Sequence, residues 1–259
     1  MRNRLIESVC VILGAGLMLG GCKSHQVQEV VVLAQGPDLN TLSVPSEYAT
    51  AAIDAAGGLD AWTSTKQLQL DCVVTFFRPD GTFYLTEQSF EVYPWSSALE
   101  ISAMEPQGAF AWRLSKGQFE VLQGADRVKD LPMVVASRCF AEAILEIITT
   151  PARLMDDSAE FAREDTAVKI HGQWYQPIKR KASTEAVFYQ DRDNSTIDMI
   201  QFACSAKGKS LTVRGYDYKK VEKGGPAVPT KIEIFNGSGG ADAQDRLVKI
   251  DCHRFVRVQ

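Results

Sequence analysis

The sequence predicts an α+β fold: one long antiparallel sheet of roughly ten strands with one or two helices laid across it. Two observations carry this expectation. From about residue 67 onward, segments with apolar residues at every second position alternate with short turn-rich stretches. In mid-chain, SRCFAEAILEIITTPARLM breaks that period, and Phe140, Ile144, Ile147 and Ile148 recur at helical spacing.

Before the sheet comes a leader. Residues 11–22 read VILGAGLMLGGC, which begins like the glycine turn of a nucleotide-binding strand–helix unit. Gly14 and Gly16 are followed by Gly20, one residue too late for that motif, and no amphipathic helix comes next. Arg2 and Arg4, the apolar stretch Val9 to Leu19 and the small residues before Cys22 have instead the parts of a secretory signal. Eleven residues are too few to span a bilayer, which takes about 20. Leu19-Gly20-Gly21-Cys22 resembles the lipobox of bacterial lipoproteins, with Gly20 where Ala or Ser is more usual. The resemblance implies cleavage after Gly21 and a diacylglyceryl group on the Cys22 thiol, so residues 1–21 are expected to be a signal peptide. Residue 23 is Lys rather than Asp, which implies sorting to the outer membrane where an aspartate there acts as the retention signal. Residues 22–45 are expected to form the lipidated cysteine and a polar tether. A flexible chain of that length spans roughly 25 Å. Residues 46–259 are expected to form one domain with its own core.

The domain should open with a helix capped by Ser46, with Glu47 in its first turn and Ala49, Ala52, Ile53 and Ala56 on one face. Gly57 and Gly58 should stop it, and a short turn around Trp62 should lead into the first strand. There Leu68, Leu70, Cys72, Val74 and Phe76 share a face, and Pro79-Asp80-Gly81 turns the chain back into TFYLTEQSFEVY. SALEISAME, AFAWRLSKGQFEVLQ, AVKIHGQWYQPIKRK, EAVFYQ, STIDMIQFAC, SLTVRGYDYKKV, VPTKIEIFN and RLVKIDCHRFVRVQ continue the meander. Pro151 should break or restart the mid-chain helix.

The lipobox, a helix ending AAGGLDAW, the continuous meander, the mid-chain helix and the closing pair DYKKV…VPTKIEIF together resemble the lipoprotein-localisation proteins LolA and LolB and their lipoprotein relatives. That resemblance implies a curved, unclosed half-barrel covered by helices, with a concave face that holds acyl chains. It spans about residues 46–258 and names no ligand contact residue by residue. Phe76, Phe83, Phe90, Trp95, Phe110, Trp112 and Phe119 supply large apolar area to such a face, or to an ordinary core.

The remaining signals narrow the function classes. The formal net charge is −4, and −5 once Arg2, Arg4 and Glu7 leave with the signal, so no nucleic-acid partner is expected. The expected membrane contact is the N-terminal lipid anchor, and further partners are lipid or lipoprotein acyl chains. The chain is expected to be non-catalytic, without cofactor or metal. His25, His171 and His253 are dispersed, and Cys252 and His253 point to opposite faces of a strand. DRDNSTIDMIQF from Asp191 begins like a calcium loop but has Thr196 and Phe202 where Gly and Glu are needed, and it reads better as a hairpin turn. Asp156-Asp157 suits a helix end or loop. Cys72, Cys139, Cys204 and Cys252 allow three pairings, and buried thiols are equally compatible with the sequence. Parity places Cys72, Cys204 and Cys252 on the apolar sides of their strands. The alternative to a lipid carrier is a structural or assembly lipoprotein with a filled core that acts through protein contacts.

Overall fold

The computed structural model describes residues 36–37, 47–105, 108–155, 161–180, 186–204, 209–237 and 245–259. All of them lie in the second of the chain's two compact units, Gln35–Gln259. Cys22, the leader, His25, Ser46 and Asp156-Asp157 lie outside the described residues.

The opening helix, α1 (Glu47–Ala55), buries Ala49, Ala52 and Ile53 as its periodicity requires. A five-residue helix, α2 (Leu59–Thr63), stands where the sequence suggested only a turn. Its docking explains the GGLDAW motif. Gly57 has φ +110°, and a Cβ there would meet the backbone of Gly225 and Pro226 at 3.0 Å, so only glycine lets the two chain segments approach this closely. The Ala56 carbonyl accepts from the Ala227 amide at 2.7 Å and from the indole of Trp62 at 3.0 Å. Trp62 is fully buried, and its own carbonyl accepts from Trp95.

The strands are β1 (Gln67–Phe77), β2 (Phe83–Tyr93), β3 (Ala98–Glu105), β4 (Gly108–Ser115), β5 (Gln118–Gln123), β6 (Asp126–Arg127), β7 (Phe161–Arg163), β8 (Val168–Ile170), β9 (Gln173–Arg180), β10 (Ala186–Asp191), β11 (Ile197–Cys204), β12 (Lys209–Lys220), β13 (Ala227–Asn236) and β14 (Arg246–Val258). Among the described residues they form one antiparallel, unclosed sheet of 14 strands rather than about ten; the short β6, β7 and β8 carry too little alternation to read from sequence. The spatial order is β6-β5-β4-β3-β2-β1-β14-β13-β12-β11-β10-β9-β7, with β8 on β9. The first and last strands therefore pair in the middle, and the two edges are the strands on either side of the long helix α3 (Leu131–Arg153). That helix is the connection between opposite edges of the sheet. At a rise of about 1.5 Å per residue it covers roughly 34 Å. It packs on β2, β3, β4 and β5 from one half of the sheet and on β11, β12 and β13 from the other.

Pro151 does not break α3, contrary to the sequence expectation: the helix runs through it to Arg153. The proline sits in the last turn, where it removes one ladder bond. Ala152, Leu154 and Met155, all buried, hold the end in place. The helix also starts six residues before the segment that the periodicity marked, with Pro132 in its first turn.

Candidate functional site

The candidate site is the concave face of the sheet under α3. Strand register assembles it from alternate residues. On one half, Leu70, Phe90, Ile101 and Trp112 form a continuous row across β1 to β4. On the other, Val213, Ile234 and Val248 line up across β12 to β14, as do Ile232 and Ile250 on β13 and β14. The α3 residues Ala143, Ile144, Ile147 and Ile148 are buried and belong to the same apolar cluster. Phe140 lies over the β1–β2 pair, with its ring 5.4 Å from Phe76 and 6.4 Å from Phe90. The aromatics expected to supply this face divide. Phe90, Phe110 and Trp112 are buried in it, and Phe76, Trp95 and Phe119 are half-buried against it.

Phe83 is a correction: it is 59% exposed and lies on the opposite, convex face. Phe83 and Phe90 are an odd number of residues apart on one strand, so they point to opposite sides. Phe83 pairs with Phe77, Leu85 sits two residues further along the same face, and Leu247 is also exposed, so an apolar patch with Arg246 over the Phe77 ring occupies the convex side.

Two disulfides use all four of the domain's cysteines in one of the three possible pairings. Cys72–Cys252 joins β1 to β14 directly across the register, and both residues are buried. Cys139–Cys204 ties α3 to β11 across a separation of 65 residues. The parity expectation holds for Cys72, Cys204 and Cys252. Helix-to-sheet pairing of Cys139 could not be read, because which helical residue meets which strand depends on the crossing of α3. The far end of the helix is held by charge. Glu146 accepts from Arg153 at 3.1 Å and from Arg180 of β9 at 3.4 Å, and Arg180 lies over the Phe188 ring. A buried ion pair of this kind fixes geometry more than it adds stability.

On the convex face, Tyr175 donates to Asp198 at 3.4 Å and accepts from Arg214 at 3.3 Å. Burial pushes the Asp198 carboxyl up to about 6, Arg214 opposes the shift and Asp191 adds to it; burial also drives the Tyr175 hydroxyl up to about 12. The segment from Asp191 is the hairpin turn the sequence favoured. Asp191 accepts from the Asp193 amide and Asn194 from the Thr196 amide, so these side chains serve the turn. His171 occupies a turn with φ +49°, and His253 is exposed on the face opposite Cys252. No group of three or more metal-ligating side chains occurs among the described residues, and no described helix is long and apolar enough to cross a membrane.

No family model matches the sequence, and no curated protein does. Solved structures match its fold. A LolA superfamily protein from Nitrosomonas europaea superposes with a TM-score of 0.53 at 12% identity, covering 84% of this chain and 94% of that one. An outer membrane lipoprotein-sorting protein domain from Vibrio parahaemolyticus gives 0.48 at 10% identity, covering 81% and 93%. A DUF1329 family protein from Desulfovibrio piger gives 0.43 at 11%, covering 82% and 94%. The first of these likenesses supports the shared half-barrel fold that the sequence resemblance implied, at an identity that speaks for fold alone.

Proposed function

We propose that this chain is a non-catalytic bacterial envelope lipoprotein, anchored through lipid on Cys22 and facing the periplasm from the outer membrane, that binds or carries lipid or lipoprotein acyl chains between α3 and the concave face. One observation carries the reading. The concave face is apolar along both halves, and the helix that crosses it, α3, shares no strand ladder with it. Displacing such a cover exposes hydrocarbon-compatible surface without breaking a row of backbone hydrogen bonds. In the state described here, α3 itself fills the face, so a chain enters only as the helix shifts about its tether to β11. A second reading, a structural lipoprotein that docks another protein, draws on the convex patch of Phe77, Phe83, Leu85 and Leu247.

Native mass spectrometry with lipid extraction, on residues 23–259 exported without the anchor, tests the first reading. A stoichiometric lipid is expected, lost in a folded Ala103→Phe variant because Ala103 is the small residue of the concave face between Gln88 and Phe110. An apo mass that stays unchanged with added lipids or acylated peptides rejects acyl binding and leaves the convex patch as the functional surface.

A further inference from the structure

On the β2–β4 part of the apolar concave face, two polar atoms stand unsatisfied. The side-chain carbonyl of Gln88 on β2 and the indole N–H of Trp112 on β4 are buried without a hydrogen-bond partner. Their residues are 3% and 6% exposed. The other end of the Gln88 amide donates to Thr86 at 2.9 Å. Turning the amide over would exchange the two ends and still leave one facing the interior. Register places Gln88 beside Ala103, which pairs in turn with Phe110, and Trp112 lies two residues further along β4 with its ring stacked on Phe110 at 6.0 Å. Ala103, a small residue, separates Gln88 from Phe110 in that row. Phe140 of α3 touches the rings of Phe76 and Phe90, which flank the Cys72–Gln88 row on β1 and β2. A buried polar group costs stability when it is left unpaired. Leucine and phenylalanine would have served a purely structural core at positions 88 and 112.

We infer that Gln88 and Trp112 form a polar mark within the acyl site and select a chain that carries a group able both to donate and to accept a hydrogen bond, a hydroxyl or a secondary amide. The indole donates to the oxygen of that group, and the Gln88 amide receives its hydrogen. A plain hydrocarbon segment at the same depth leaves both protein atoms unpaired and binds more weakly. This inference rests on the acyl-binding reading above and adds the chemistry of the ligand.

The test offers the full-length protein in lipid nanodiscs an equimolar mixture of stearate, hydroxystearates and N-stearoylglycine. Retained acids are quantified by mass spectrometry after subtraction of what empty nanodiscs retain. The wild-type protein is expected to enrich a hydroxylated or amide-bearing chain over stearate by about tenfold, the ratio that one paired rather than orphaned hydrogen-bonding group supports. Gln88→Leu and Trp112→Phe should each reduce that ratio toward one. Equal retention of all the acids by the wild type, or an unchanged ratio in both variants, overturns the polar mark and leaves acyl binding intact. Retention of none of them above the empty-nanodisc level removes the acyl reading and the mark with it.

Discussion

Replacing Trp62 by alanine is expected to lower the unfolding free energy by about 3–5 kcal/mol, the range for truncating a buried aromatic. Trp62 is fully buried, and its loss removes more than contact area. Its indole is one of two donors to the Ala56 carbonyl, and its carbonyl accepts from Trp95, which also donates to Thr65. The tryptophan thus joins the end of α1, the helix α2 and the loop after β2 in one packed corner. Urea unfolding followed by fluorescence and circular dichroism should show a lower midpoint at unchanged slope. Trp174→Ala, at a site 48% exposed, should move the midpoint little. A Trp62→Ala loss below about 1 kcal/mol would show that the GGLDAW corner does not hold the domain together.

The double variant Cys139→Ser with Cys204→Ser is expected to cost about 2–4 kcal/mol of global stability. Its more informative effect is local. The bridge is the one covalent link between α3 and the sheet, so its removal should raise amide hydrogen exchange in α3 relative to β1 and β14. The pair Cys72→Ser with Cys252→Ser makes the control. It removes a bridge of 180-residue separation between two strands already paired by their ladder. Exchange there should rise through global destabilisation, with no selective change in α3. Protection of α3 that stays level with the central strands in the Cys139/Cys204 variant would mean that apolar packing and the Glu146 ion pairs alone fix the cover.

Much of the sheet was legible because period-two alternation runs through long stretches of β1, β11, β13 and β14 despite local register shifts, and turns such as Asp80-Gly81 and Lys116-Gly117 are local chemistry. Parity alone placed Cys72, Cys204 and Cys252 correctly. What escaped the sequence depends on long-range placement. The pairing of β1 with β14 makes the strands flanking α3 the edges, and nothing in either strand announces it. The partner of Cys139 follows from the same crossing. Phe83 was misplaced because size was weighed above parity. Gln88 carried a readable signal: on β2 it shares the face of Phe90 and Val92, so a polar residue interrupts an apolar stripe. Such interruptions mark either a strand end or a site, and only the buried position of Gln88 separates the two.

The central claim is that hydrocarbon enters between α3 and the concave face, and photo-cross-linking with a diazirine-bearing palmitate tests it most directly. The full-length protein would be irradiated with the probe, digested and mapped by mass spectrometry. Adducts are expected on the sheet-facing side of α3, at Ile144 and Ile148, and on concave positions such as Ile101 and Ile250. Adducts confined to Phe83 and Leu85 on the convex patch, or no protein adduct competed by unlabelled palmitate, would contradict the account.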